Sequence, residues 1–484
     1  MARYAYDRLT ALDNSFLLLE KPNSYMHVAA TQIFKTGPLR MEGGGVDAGR
    51  IRKLVAALLH RIPRYRQKLA WIPFENHPVW VDDENFNLDY HLRHTALPRP
   101  GTDEQLKRLS GRVMQQHLDR DRPLWEMWVV EGLEGDRFAI ISKTHHCMID
   151  GVSGVDIMRV LMSTDPDEPI PEEPTWVPRP APSSFELLRH EWTRRAFLPF
   201  EILRGAVSLV RQAEDVRLDL MTRLRALQET LGGSLRLPSE TPLNREIGPH
   251  RRFDWLELEL ADLKQMRKSL GGSLNDLVLT IVTGAVRSFL RARHVNPDRL
   301  DFRVMAPVSV RSDDQRGALG NRVSAWIVPL PIDEPDPRAQ LSRIIEKTTR
   351  LKESKSAVGA EVLTQAAEYT PSTLLALGAR NIARLLPFNL VVTNVPGPQT
   401  PMYMLGAEMT EVFPHVPLVD RLGLGIALMS MNGKLCWGFN GDYDLMPDLR
   451  EFVGAIDLSF RALRQLAHAR PGANGHDAAE SRAS

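Results

Sequence analysis

Seven prolines fall within seventeen residues, from Pro166 to Pro182, and no other feature of this chain limits its folding so sharply. Each proline fixes φ, removes an amide donor and biases the residue before it away from helical backbone, so the stretch must be extended and stiff. It reads as a crossing between two lobes. The first lobe spans 1–165, the crossing and a helical connector 166–245, and the second lobe 246–470; the small polar tail, 471–484, is expected to be disordered. With 484 residues, 43% of them apolar, there is material for more than one core, and global disorder is excluded.

Within the first lobe, Trp125 to Leu133 and Arg137 to Thr144 read as strands joined through Glu134-Gly135-Asp136. The second strand runs straight into Thr144-His145-His146-Cys147-Met148-Ile149-Asp150-Gly151, and a helix pattern opens at about Ser153. In the second lobe, Gly271-Gly272-Ser273 leads into a helix from about Asn275 to Arg293. Strands are expected at 302–310, 322–330, 389–394, 423–430 and 434–440, the last two joined by a hairpin turn at Asn432-Gly433, and a final helix at 448–467. The fold class is therefore mixed α/β.

Charge and cysteine content narrow the function. Lys plus Arg number 61 against 60 Asp plus Glu, so no global field points at nucleic acid. Two cysteines, Cys147 and Cys436, cannot build a disulfide framework or a thiolate metal site, which suits a reducing, cytoplasmic setting. The first twelve residues lack an apolar signal core, and no uncharged apolar run reaches the ~20 residues of a membrane span. The connector from Phe185 to Leu231 is locally basic, with eight Arg against five acidic residues between Arg189 and Arg225. Its apolar stripe suits packing on the protein's own lobes, or peripheral contact with an anionic lipid surface.

Reactive groups at a strand end sit on a rigid element and project into a cleft. Adjacent histidines on extended backbone face opposite ways, so His145 and His146 cannot share one metal ion from this position; one should enter a cleft and the other support it. A working imidazole can take a proton from a hydroxyl and pass it to a leaving group. Asp150 could hold an arginine, orient a ring nitrogen or cap the following helix, with Gly151 allowing a turn beside it. Ser273 and Asp276 have capping spacing, and the helix start there could alternatively aim amide dipoles at a developing oxyanion. Cys147 reads as a small packing residue, and Gly43-Gly44-Gly45 as a surface loop without the flanking strand, helix and lysine of a phosphate cradle. His27, His60, His117, His190 and His415 are isolated in sequence and read as core or surface residues.

The motif His-His-x-x-x-Asp-Gly at 145–151 resembles the signature of the CoA-dependent acyltransferase superfamily that includes chloramphenicol acetyltransferase and peptide-synthetase condensation domains. Leu12-Asp13 with Phe16, Met26-His27-Val28, Arg122-Pro123-Leu124-Trp125-Glu126, Ser273-Leu274-Asn275-Asp276, Pro307 to Arg311, Gly320-Asn321-Arg322 and Thr393 to Pro398 together resemble the bacterial wax ester synthase/acyl-CoA:diacylglycerol acyltransferase family, in the family's order. The resemblance implies two chloramphenicol-acetyltransferase-like lobes, each a mixed sheet flanked by helices, with the active site in a tunnel between them. It further implies that His146 is the general base for an acceptor hydroxyl attacking the thioester of acyl-CoA, a co-substrate, with no bound cofactor or metal. His145 would be supporting, Asp150 would hold the motif's shape through an arginine, and Gly151 would permit its turn. Pro123, Leu124, Trp125, Asn275 and Asp276 would support the site. Thr393 to Pro398 is either a plain loop or a wall of the acyl or CoA channel.

The expected reaction is transfer of a fatty acyl group to diacylglycerol, to a long-chain alcohol, or to both. Rival readings are an acyltransferase acting on another lipid or polyketide acceptor, and a non-catalytic lipid-binding or inclusion-coating protein.

Overall fold

Strand Arg137–His145 is buried almost end to end, which the near-continuous apolar run Phe138 to Ile141 requires of a strand covered on both faces. The computed structural model describes residues 6–148, 158, 160–194, 237–309, 323–353 and 387–468. Asp150, Gly151, Ser153, the stretch 310–322, most of the connector and the tail lie outside the described residues.

In chain order the elements are β1 (Tyr6–Arg8), α1 (Ala11–Leu19), β2 (His27–Lys35), α2 (Ala48–Leu58), β3 (Gln67–Trp71), β4 (Pro78–Asp82), α3 (Leu88–His91), β5 (Leu92–Ala96), α4 (Asp103–Met114), β6 (Trp125–Leu133) and β7 (Arg137–His145). A helix at 184–194, here α5, opens the connector. The rest is β8 (Arg251–Glu259), α6 (Leu260–Leu270), α7 (Leu274–Ala292), β9 (Phe302–Ser309), β10 (Val323–Leu330), α8 (Pro337–Glu353), β11 (Leu390–Pro396), β12 (Tyr403–Met404), β13 (Ala407–His415), β14 (Leu424–Met431), β15 (Lys434–Asp442) and α9 (Leu449–His468). The anticipated strands and the helices expected at 275–293 and 448–467 are present with ends displaced by at most two residues, while the helix expected from Ser153 and most of the helical connector lie outside the described residues. The Asn432-Gly433 hairpin turn has φ of +43° and +82°, the pair of left-handed residues that a two-residue hairpin demands.

The strands form two mixed six-stranded sheets and one small sheet, in the orders β12-β13-β2-β7-β6-β5, β10-β9-β11-β14-β15-β8 and β1-β4-β3. Sheet membership does not follow the division at the proline-rich crossing. Residues 403–415 belong by sequence to the second lobe, yet β13 pairs antiparallel with β2 of the first, His415 opposite Ala29. The second sheet abuts this transferred strand: Trp255 stacks on Phe413 at 4.6 Å and Phe253 on His415 at 3.5 Å. The ring of His415 also hydrogen-bonds Thr31 at 2.9 Å. Burial pushes His415 down to about 3, so it is a neutral core residue.

The lobes meet backbone to backbone at Gly438 of β15, where an added Cβ would sit 1.9 Å from the Pro414 carbonyl oxygen of β13. Only glycine permits that approach. Gly438→Ala is accordingly expected to cost roughly 1–3 kcal/mol or more by overpacking and to lower the thermal midpoint by several degrees. Gly454, exposed on α9 with open space around it, is the control, since Gly454→Ala should leave the midpoint unchanged or raise it. Equal midpoints for the two variants would remove Gly438 from the lobe contact.

Candidate active site

The end of β7 is gripped on both sides by main chain. The His145 amide donates to the Leu124 carbonyl at 2.9 Å, and the His146 amide to the Met26 carbonyl at 2.8 Å. Strand geometry stops there: His145 is the last residue of β7, and His146 opens a tight turn, His146–Met148. This break separates the two rings.

His145 is 1% exposed. Its Nδ1 accepts from the Cys147 amide at 3.1 Å, so the ring proton belongs on Nε2, which lies 3.1 Å from Glu20 Oε1, off the line of a well-formed hydrogen bond. Glu20 immediately follows α1. Its carboxylate also accepts from the Met26 amide at 2.9 Å and from Arg120 at 2.5 Å, and stands 3.9 Å from His27 Nε2. Burial alone would push Glu20 upward; the contacts with His145, Arg120 and the Met26 amide outweigh it and hold the carboxyl at about 2, fully ionised. His27, opposite His145 in the β2–β7 register, presents its ring edge-on 5.8 Å away and is held neutral chiefly by burial. Isolated in sequence, His27 is therefore part of this buried cluster.

His146 is only half-buried and stacks on Phe16 of α1, 3.9 Å between ring centres and 25° between planes. Burial lowers it to about 4, with a smaller contribution from His145 and partial opposition from a hydrogen bond to its own backbone. The ring is consequently neutral at pH 7. Helix α1 is set in place at its start, where Thr10 caps it: the Thr10 hydroxyl accepts from the Asp13 amide at 3.1 Å and donates to the Asp13 carboxylate at 2.6 Å.

The Pro123-Leu124-Trp125 segment works as a clamp. Leu124 supplies the carbonyl that holds His145, while Trp125 donates from Nε1 to the Tyr65 carbonyl at 2.8 Å and stacks on His91 at 4.7 Å. The Tyr65 hydroxyl meets Thr144 at 3.1 Å, and burial pushes that phenol up to about 12. Lys143, wholly buried on the same strand, ties it to the end of α4 by donating to the carbonyls of Val113 at 2.9 Å and Gln116 at 3.0 Å; burial lowers its ammonium to about 8.

Asn275 and Asp276 are placed otherwise. Asp276 closes a capping box on α7, accepting from the Ser273 amide and hydroxyl at 2.7 Å each, and from the Thr348 hydroxyl at 2.8 Å. These bonds fit the capping alternative, and none links Asp276 to the two histidines. Cys147 is fully buried with its thiol pushed well above the ordinary value by burial, as a packing residue should be. At Thr393 to Pro398, β11 continues to Pro396, and a Cβ on Gly397 would fall 2.4 Å from the Ser430 carbonyl, a tight backbone approach beside β14. Among the described residues no group of three or more His, Cys, Asp or Glu could hold a metal ion. Asp150 and Gly151 lie outside the described residues.

The core around this turn joins both halves of the chain. Met148, Met158 and Met162 pack in one apolar cluster with Met402, Met404, Met409, Met429 and Met431; with Met127 it holds nine of the protein's 17 methionines.

The model of the wax ester synthase/diacylglycerol acyltransferase catalytic domain matches residues 9–278, and that of the family's C-terminal domain matches 319–464. The chain belongs to the wax ester synthase/diacylglycerol acyltransferase family. A Mycobacterium tuberculosis protein provisionally named a diacylglycerol O-acyltransferase is 31% identical over 98% of this chain and 93% of its own length. A second from the same organism, also provisionally named so, is 30% identical over 93% and 94%. The fold of this acyltransferase matches that of a wax ester synthase/diacylglycerol acyltransferase from Marinobacter aquaeolei, with a TM-score of 0.68, 24% identity, and coverage of 96% of this chain and 100% of that one. A starter condensation domain of a rhizomide synthetase, solved with C8-CoA, shares the fold at a TM-score of 0.57 and 12% identity, covering 96% and 95%. The two-lobed α/β architecture expected from the motif is thus the family's.

Glu20 and the role of Phe16 were not legible in this acyltransferase before its fold. Glu20 is a carboxylate closing an apolar helix end, Leu17-Leu18-Leu19-Glu20, and only that abrupt change of character marks it.

Proposed function

We propose that His146 is the general base of acyl transfer from a fatty acyl-CoA to a lipid alcohol. The neutral ring takes the proton of the acceptor hydroxyl, the oxygen attacks the thioester carbonyl, the C–S bond breaks, and the proton passes to the departing CoA thiolate. The observation that carries this reading is the asymmetry of the two rings: His145 is sealed and engaged, while His146 is neutral, partly open and oriented by Phe16. His146 Nδ1 finds no partner in another described residue, which suits a proton there directed at the residue's own backbone and a lone pair free on Nε2. The methionine-rich core suits a long acyl chain, because unbranched polarizable side chains adapt to variable shapes. The relatives' names favour diacylglycerol as acceptor, and the fold neighbour's description as a wax ester synthase supports a long-chain alcohol as the alternative.

Purified protein supplied with palmitoyl-CoA and, separately, with diacylglycerol, hexadecanol and a glycolipid alcohol should release one thiol per ester formed with the first, the second or both. Esterification of the glycolipid alone, or of none, overturns the assignment.

The acceptors are lipids, and α5 offers a surface for reaching them. Phe185 and Trp192 are each 73% exposed and seven residues apart on one helix face, whereas Leu187 is buried against the small sheet. Arg8 joins Glu191 of this helix to Glu75 of the β3–β4 turn, where Phe74 is 91% exposed. Aromatic rings beside Arg189 and Arg194 fit peripheral contact with an anionic bilayer. Phe185→Ser combined with Trp192→Ser should cut cosedimentation with phosphatidylglycerol vesicles severalfold and spare turnover of a water-soluble alcohol. Unchanged sedimentation would assign the lipid contact elsewhere. Among the described residues no single helix is long and apolar enough to cross a membrane.

A further inference from the structure

We infer that a cleft on the first lobe, whose lining includes none of the residues around His146, binds the carboxylate of an amphipathic acid such as a fatty acid. The cleft has a volume of about 510 Å³ and lies between α2, α3 and the extended proline-rich crossing. Its decisive residue is Arg66. This guanidinium is 5% exposed, lies 5.0 Å over the Trp176 ring and 6.0 Å over Phe86, and among the described residues makes only one long hydrogen bond, 3.5 Å to the Ala56 carbonyl. Its Nε has no partner among the described residues.

A buried cation is ordinarily matched by a carboxylate, because its lost hydration is otherwise uncompensated. Here the three aspartates along the neighbouring chain are committed. Asp82 accepts from Arg179 and from Gln67, each at 3.0 Å; Asp83 pairs with Lys68 at 3.1 Å; and Asp89 pairs with Arg52, the other arginine of the cleft, at 2.5 Å. Among the described residues Arg66 thus has no carboxylate within ion-pair distance, and burial holds its pKa below the ordinary value, opposed only in part by the charge of Glu173 at the rim.

The planar guanidinium fork matches a carboxylate. Glu173, exposed at the rim, adds a negative charge without pairing with Arg66, which favours a monoanion over a dianionic phosphate. Beneath the arginine, Ala56, Leu59 and Leu88 are buried apolar residues that line the same cleft and would cover a hydrocarbon tail. Charge and lining together specify an acid with an apolar body.

The test is calorimetric titration of the full-length protein with decanoate, decan-1-ol and inorganic phosphate, on wild type, Arg66→Gln and Thr175→Trp. Thr175 is exposed at the mouth, so its replacement blocks the cleft without touching the core and serves if Arg66→Gln fails to fold. Decanoate can also enter a channel for acyl chains, so the quantity read is the site that depends on Arg66. Wild type should show it, and both variants should lose it or bind at least about tenfold more weakly, with acyl transfer retained. Identical decanoate isotherms in the three proteins, equal binding of decan-1-ol at that site, or preferential binding of phosphate there would each overturn the inference. None of these outcomes bears on His146, so a failure here is distinct from a failure of the acyl-transfer reading.

Discussion

Replacing His146 by alanine should lower kcat for acyl transfer about 10²- to 10⁴-fold, the range ordinarily supplied by a positioned general base. The ring is half-buried and its one described stacking partner is Phe16, so the fold should survive, with circular dichroism unchanged and the thermal midpoint shifted by a few degrees at most. The pH profile should carry the same signature. Burial places His146 at about 4, below the ordinary imidazole value, so the neutral, base-competent form is present at and above pH 6. Activity in wild type should hold as pH falls from 7 through 6 and fail only as it approaches 4 to 5. An acid limb centred near 6.5 would show that the ring is not desolvated during turnover; full activity of His146→Ala would end its role as base.

Glu20→Ala should produce the second large effect, through His145. The carboxylate holds the Met26 amide and Arg120 and faces His145 Nε2, while His145 Nδ1 holds the amide of Cys147 in the turn that carries His146. Removing it leaves buried donors unmatched, at roughly 1–3 kcal/mol each, and frees the His145 ring to rotate. The expected result is a fall in kcat of about 10- to 100-fold with KM changed less than twofold, since on the proposed mechanism Glu20 orients the base and does not bind substrate. Glu20→Gln keeps an acceptor for the Met26 amide and His145 but loses the charge, and should recover much of the rate. Equal losses for the two variants, or a change confined to KM, would make Glu20 a stability residue only.

Much of the candidate site was legible along the chain because it is local. The two strands before the motif and the Ser273–Asp276 cap depend on neighbours a few residues apart, and both are found, whereas the extended backbone expected through both histidines ends at His145 and His146 lies in a turn. The hairpin at Asn432-Gly433 was equally readable, since its left-handed φ values are a property of those two residues. The division into lobes was harder. The prolines suggest a division between lobes, but β13 joins the sheet of the first lobe from beyond residue 400, and nothing in its own apolar pattern names β2 as its partner. Register and partner choice between distant strands come from packing of whole faces, which a local reading does not contain.

Residue types and short spacings were enough to mark out the paired histidines and the mixed α/β class, because each is a matter of composition or of a few bonds along the backbone. Which of the two rings is sealed, that Glu20 stands behind one from 125 residues away and Phe16 beneath the other, and that Arg66 has no carboxylate within ion-pair distance among the described residues depended on the assembled molecule. Burial and charge pairing are set by every element that closes around a group, and those elements meet only when the chain has folded.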